Sequence, residues 1–342
     1  MNPASKHAKH VPTPRRRFLR GLLLLPGVMA APFPAKAADH TAAAFAPRIS
    51  EWPLPKPMFA RSSAIAPDGS LYIAVPNDNK VLRFDPRNAS FSEWELLPGH
   101  HPNSIIVDRR GTVWTAGFGN GTIGRLKTRS SMIAEFHVPS RGGGPHTLAL
   151  SEDGATLWFS MQTGDRIASM DIATGRIAER ETSGRPSGIT VDRRGRVWWC
   201  RASDDRLGHL DPASGSIGEL ELGAGSRPRR IATAPDGMLW VTLYGRGHLV
   251  KVDPVHMKIV KSYPLPGGNA GAYAVAVDTA GIVWASEIKR DTVVRLEPGT
   301  EIMQTIRLPT GNAGIRKLTP DGSGRLWYTG SHNGRLGLIE AE

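Results

Sequence analysis

Arginine is the residue of this chain best placed to do chemistry, because Arg61, Arg201, Arg229 and Arg316 stand at repeated offsets from an aromatic residue and Arg230 adjoins one of them. Guanidinium groups gathered in a confined opening favour carboxylate, sulfate or phosphate, often gripping them bidentately. Asn103, His146, Tyr273 and Glu287 fall on the same offsets. Glu287 is the single acid of the set, which leaves a surplus of three positive charges against the four arginines on the offsets. Tyr273 and Glu287 could form an acid–base pair if burial raised the carboxylate pKa, whereas the arginines would lower it and favour an ion pair to Arg316 or Arg229. His146 reads as a third catalytic candidate or as a hydrogen-bonded rim histidine. The candidate catalytic residues are therefore Tyr273, Glu287 and His146, and the candidate ligand-binding residues are Arg61, Asn103, Arg201, Arg229, Arg230 and Arg316. No metal set is assigned: His100 and His101 sit in a loop without nearby acids and are expected to face solvent.

What positions these residues is a repeat. A Gly-x-aliphatic-aromatic signal recurs with its aromatic at Tyr72, Trp114, Trp158, Trp198, Trp240, Trp284 and Trp327. Periods near this length mean stacked four-stranded units. In one unit, residues 186–191 and 196–199 are short β-rich runs joined by the turn Asp192-Arg193-Arg194-Gly195, and two further runs follow at 205–210 and 216–222. The third run recurs seven times, starting at Asn79, Gly121, Asp165, Asp205, Gly247, Asp291 and Gly334, but no fourth run follows the last of them. Residues 49–55 resemble the fourth run at 91–97, so the N-terminal strand is expected to close the last unit and protect its edge. The fold class is all-β: a seven-bladed β-propeller with four-stranded blades, one domain over residues 48–341.

With this ruler, the positions eleven residues before each aromatic form a first ring of Arg61, Asn103, His146, Ser187, Arg229, Tyr273 and Arg316, allowing one extra residue in the turn after His146. The positions three residues after it form a second ring of Val75, Gly117, Met161, Arg201, Leu243, Glu287 and Gly330. Innermost strands line a propeller's axis, so both rings are expected around one mouth.

Residues 1–37 carry the run Arg15-Arg16-Arg17-Phe18-Leu19-Arg20, a short apolar stretch and Ala35-Lys36-Ala37, in the order of an export signal of the twin-arginine kind. The apolar stretch is shorter than a membrane span and is broken by Pro26 and Pro32. Cleavage after Ala37 would leave a ten-residue extension over 38–47, no membrane span, and a periplasmic or secreted monomer. Seven of the positive charges lie before residue 38, so the formal net charge falls from +12 to +5 and gives no reason to invoke nucleic acid. Cys200 is the only cysteine, which excludes an internal disulfide, and it is expected to be buried and inert.

The blade pattern, Ile-x-Val, Asp-x-x-Gly-x-Val-Trp and Asp-Arg-Ile-Gly-x-Leu, resembles the streptogramin lyase family, also called virginiamycin B lyases, over the whole mature chain. That resemblance implies a magnesium-dependent elimination opening the ester of a cyclic depsipeptide antibiotic, with histidine and glutamate around the central opening. It further implies histidines at the first-ring positions of the last two blades, where this chain has Tyr273 and Arg316, and acids at or beside the last blade, where it has Gly314 and Gly330. The lyase set is replaced on this reading. Arginine cannot stand in for the missing base, being protonated at any working pH. The expected function is binding of an anionic small molecule, a peptide carboxylate or a periplasmic protein partner. The alternative is an enzyme, either a metal-dependent carbon–oxygen lyase or a lactone-type hydrolase with magnesium or calcium, to which Asn103 and Glu287 could contribute. Otherwise no cofactor is expected.

Overall fold

A computed structural model describes residues 45–56, 58–269 and 271–341. The export signal expected over residues 1–37 and most of the extension expected over 38–47 lie outside the described residues. Seven antiparallel four-stranded sheets follow one another, and among the described residues there is no helix. Their innermost strands define blades 1 to 7: Ser62–Ile65, Pro102–Val107, Pro145–Leu150, Pro186–Val191, Pro228–Thr233, Ala272–Val277 and Leu318–Pro320. Four of these begin with proline, which can open a strand because its missing N–H is not needed there.

The repeat aromatic sits on the second strand of every blade and is buried. Its neighbours explain the Asp-x-x-Gly-x-Val-Trp spelling. In four blades the turn aspartate accepts the indole N–H: Asp108 from Trp114 at 3.0 Å, Asp192 from Trp198 at 2.9 Å, Asp278 from Trp284 at 3.0 Å and Asp321 from Trp327 at 3.3 Å. The other oxygen of Asp192 accepts the backbone N–H groups of Arg194 and Arg196. One carboxylate thus closes the turn and fixes the indole. Asp192→Ala strands a buried indole N–H and two turn amides, and should cost about 2–3 kcal/mol in a denaturant titration.

The seven residues that open the third strands all have φ between 47° and 69°, which is why glycine, asparagine and aspartate alternate there. Where the residue is acidic or amidic it also ties blades together. Asp165 accepts the amide of Arg185 at 2.8 Å, and Asp205 accepts those of Gly225 and Arg227, both at 2.7 Å.

The core is made between blades. Trp114 of blade 2 packs with Leu157, Phe159 and Met170 of blade 3, and Trp198 of blade 4 with Leu239, Val241 and Val250 of blade 5. Closure follows the expected route, with the strand shifted two residues toward the N-terminus. Pro47–Pro53 pairs antiparallel with Arg335–Ala341, from Pro47 opposite Ala341 to Pro53 opposite Arg335. Trp52 then stacks on Trp327 at 5.7 Å and meets Phe84 of blade 1 at 5.1 Å. The Glu51 carboxylate accepts the buried Tyr328 hydroxyl at 2.6 Å. No helix among the described residues is long and apolar enough to cross a membrane.

Candidate functional site: a guanidinium ring around Tyr273

The innermost strands start at one end of the ring, and the side chains just before or inside those starts meet across the axis. Arg61 of blade 1 approaches His146 of blade 3, Nη2 to Nε2, at 3.4 Å. Arg230 of blade 5 reaches Thr147 of blade 3, donating from Nη1 to Oγ1 at 3.0 Å. Arg229 donates to the Tyr273 hydroxyl at 3.5 Å, and the guanidinium carbons of Arg229, Arg230 and Arg316 lie 5.2, 5.5 and 5.3 Å from the Tyr273 ring centre. Cation–π attraction and charge both favour this grouping.

The charge balance is one-sided. Arg61, Arg229, Arg230 and Arg316 have no carboxylate partner among the described residues. The Nε atoms of Arg61 and Arg316 are buried with no hydrogen-bond partner. Tyr273 is buried, and its hydroxyl meets a donor but no acceptor. Burial alone would push this phenol up. Arg230, Arg229, Arg61 and Arg316 outweigh burial and bring it down to about 7. Burial lowers Arg61 to about 10, and it lowers Lys317, half-buried just before the inner strand of blade 7, to about 8 with help from Arg230. His146 is held well below its ordinary value by burial and then by Arg230, Arg61 and Arg229. It is a neutral imidazole whose Nε2 faces the Arg61 donor, so its Nδ1 carries the proton toward Thr147 Oγ1 at 2.8 Å.

Beside this cluster opens a cavity of about 830 Å³ lined by Arg185, Arg227, Arg229, Arg316, Lys289, Tyr244, Tyr273 and His332, among others. Its single acid, Asp205, spends its oxygens on backbone amides as described above. A concavity of about 920 Å³ elsewhere lies over the Asp-x-x-Gly turns, but there four basic side chains are matched by four acids, among them Asp108, Glu152 and Asp171. Arg185 and Arg227 have φ of 53° and 47°, a left-handed conformation that the same loop fills with glycine at Gly271 and Gly314. Arginine there costs roughly 1–2 kcal/mol of backbone strain, and at both positions the side chain lines the mouth.

The second ring does not line the mouth. Val75, Met161 and Leu243 pack in the inter-blade cores, because a second strand turns its side chains to the two faces of its own blade rather than to the axis. Arg201 accordingly pairs with Asp204 and Glu219 on its own blade. Glu287 accepts the Gly267 amide at 2.6 Å and the Thr292 hydroxyl at 2.6 Å, and pairs with neither Tyr273 nor Arg229 nor Arg316. Asn103 is buried and donates to the His146 carbonyl at 2.8 Å, holding the strand start rather than facing the opening. Of the nine candidates, Arg61, His146, Arg229, Arg230, Tyr273 and Arg316 come together, and Asn103, Arg201 and Glu287 do not join them.

Other residues take the place of the second ring. Tyr244, Lys289 and His332 come from the turn just past the second strand, four or five residues after the aromatic, and Arg185 and Arg227 stand thirteen before it. The same ruler applied up to two residues further in each direction finds them. His100 corrects another expectation: it is buried, with Nε2 on Thr115 at 2.7 Å and Nδ1 near Thr122 at 3.0 Å and Glu135 at 2.8 Å, while His101 stays exposed. Room for it comes from Gly117, where a Cβ would lie 2.5 Å from the imidazole. Cys200 is buried, and burial pushes its thiol up to about 12.

Magnesium prefers hard oxygen ligands, usually one or two carboxylates. The groups at this mouth are guanidiniums, the Lys289 ammonium, the phenols of Tyr244 and Tyr273 and the imidazoles of His146 and His332, while Asp205 has committed its oxygens to the Gly225 and Arg227 amides and Glu287 to Gly267 and Thr292. Among the described residues no three His, Cys, Asp or Glu side chains are grouped to hold a metal ion. The donor set therefore does not fit the metal that the resemblance implies.

A family model described as the Virginiamycin B lyase family matches residues 42–183 and 174–342. A protein named virginiamycin B lyase from Nocardia farcinica (strain IFM 10152) is 33% identical over 182 residues, spanning 53% of this chain and 62% of that protein. Among solved structures, a streptogramin B lyase superposes with a TM-score of 0.80 at 22% identity, over 86% of this chain and 98% of that one. A catalytically inactive histidine-to-alanine variant of virginiamycin B lyase from Staphylococcus aureus, solved with quinupristin, gives 0.80 at 20% identity over 87% and 100%. At that identity the structures speak to the fold, and the family model to ancestry. This chain belongs to the virginiamycin B lyase family.

Proposed function

We propose that this family member binds an anionic small molecule, or the carboxylate of a peptide or protein partner, at its central mouth, and that the lyase residues of the family are replaced in it. The observation that carries the reading is the set of four guanidinium groups around Tyr273 with no carboxylate partner among the described residues. Unpaired buried cations are costly, and a bound anion would satisfy them. Replacement of the lyase set is supported by the first ring, whose only histidine is His146, a neutral side chain engaged with Arg61 and Thr147. The twin-arginine pattern supports a periplasmic site of action, which cell fractionation of Arg15→Lys with Arg16→Lys would test by retention of the protein in the cytoplasm.

Calorimetric titration with citrate, inorganic sulfate and muramyl-peptide carboxylates tests the binding reading. Arg229→Ala with Arg316→Ala should weaken binding at least tenfold, since each charge-assisted contact is worth about 1.5–3 kcal/mol. Arg201→Ala should leave affinity within about twofold, because its guanidinium is already neutralised by Asp204 and Glu219. Unchanged affinity in the double variant would sink the assignment of the site.

A further inference from the structure

Three of the buried tyrosines have hydroxyls whose surroundings can be compared. Tyr328 donates to Glu51 at 2.6 Å and Tyr263 to Glu301 at 3.3 Å. Tyr273 has no acceptor among the described residues, and its hydroxyl oxygen faces the Arg229 donor on the wall of the cavity. A phenol surrounded only by donors is arranged to carry negative charge and to receive a proton. On the same wall, Arg229 and Arg316 are placed to hold the carboxylate of a ligand beside that oxygen. Among the described residues no carboxylate competes for them.

We propose that Tyr273 is the proton-transferring residue of a metal-independent β-elimination on a carboxylate substrate that carries an acidic α-C–H and an oxygen leaving group on its β-carbon, as a uronoside does. The inference rests on the anion-binding reading above and adds a reaction to it. The Tyr273 phenolate takes the α-proton, and the C–H pair delocalises into the carboxylate as an enolate dianion, whose charge Arg229 and Arg316 stabilise where it develops. The pair then returns to form the Cα=Cβ bond as the Cβ–O bond breaks. The leaving oxygen takes its proton from the Tyr273 phenol on the same face. Substrate becomes an α,β-unsaturated carboxylate and an alcohol, the phenolate is regenerated, and no oxidant or co-reactant is consumed. Lowering by the guanidiniums to about 7 makes both forms of Tyr273 available near neutral pH, as such a shuttle requires. The charged or titratable groups nearest it are Arg61, Arg229, Arg230 and Arg316 and the phenol of Tyr244, whose ring centre lies 6.3 Å from its own, with Lys289 and His332 further out on the wall.

The test uses the full mature chain with polygalacturonate and alginate oligomers as probes. Calorimetry reads binding, nuclear magnetic resonance in D2O reads α-proton exchange, and ultraviolet absorbance reads the conjugated product. The expected result is exchange and product formation that fall at least 100-fold in Tyr273→Phe, while its probe affinity at pH 6, where the phenol of the native chain is neutral as well, stays within about threefold, which also shows that the variant is folded. Product formation should rise with pH through about 7 in the native chain. A probe that binds the native chain but neither exchanges nor eliminates would overturn the inference and leave the anion reading standing. Equal turnover by Tyr273→Phe would overturn it as well. Failure of both probes and of the simple anions to bind would overturn the two together.

Discussion

Tyr273→Phe is expected to lower the stability of the native fold by about 3 kcal/mol at pH 8.5 and by far less at pH 6. Among the described residues the phenolate is the only anion between Arg61, Arg229, Arg230 and Arg316, so its loss leaves four partly buried cations facing one another. The pH dependence follows from the direction of the shifts. Tyr273 ionises at about 7 when folded and near 10 when unfolded, so between those values the unfolded chain holds the extra proton and stability rises with pH. Lys317 acts in the same direction, releasing its proton at about 8 when folded. At about 1.4 kcal/mol per unit, and discounting Lys317 for its partial exposure, the native chain should gain about 2–4 kcal/mol between pH 6.5 and 9.5. Above pH 10 the rise levels off: Tyr328, held above the usual phenol range by burial and by its bond to Glu51, stabilises only while unfolded phenols also keep their protons, whereas Arg61, which releases its proton at about 10 when folded, acts the other way. Melting temperatures across this range, with and without Tyr273→Phe, check both the slope and its source. A bound anion should raise stability most at the acid end, where the phenol is neutral and the arginines lack a counter-charge, and so flatten the slope.

Removing residues 1–53 should unfold the chain or leave an aggregating ring. Without the strand Pro47–Pro53, the strand Arg335–Ala341 becomes an open edge, and Trp327, Leu336 and Leu338 lose their cover. Smaller changes grade the effect. Trp52→Ala removes contacts to Trp327, Phe84 and their neighbours and should cost about 3 kcal/mol. Glu51→Ala leaves the fully buried Tyr328 hydroxyl without an acceptor and should cost about 1–3 kcal/mol. Denaturant titrations of these variants should shift the midpoint with little change in slope, since the surface exposed on unfolding is nearly the same.

The propeller was legible because its repeat is physical rather than statistical. The aspartate of the turn meets the indole of the same hairpin in four blades, as Asp192 meets Trp198, so their spacing is the same in each of those four. Left-handed φ at the third-strand start restricts that position to residues such as Asp205 or Gly247, which makes a second marker visible in sequence. The first ring was legible for the same reason, because residues at the start of the innermost strand have the axis as their only free direction. Side-chain direction on the second strand was harder. A period of two decides which blade face a residue joins, and counting from the aromatic does not reveal where the strand stops and the turn begins. Glu287 and Arg201 are therefore the last strand residues and point sideways, while Lys289 and His332, two further along in their own repeats, rise into the opening. Partner choice was illegible as well. Nothing in the local sequence of Glu287 marks the Gly267 amide, twenty residues away, as its hydrogen-bond donor.

The most direct test of an anion site at the mouth is a crystal structure of the mature chain grown or soaked with malonate or sulfate. The structure described here predicts anion density in contact with Arg229 and Arg316 beside the Tyr273 hydroxyl, with the Nε of Arg316 now bonded. An opening that holds only water at those arginines, while the anion occupies other surface sites, would contradict it.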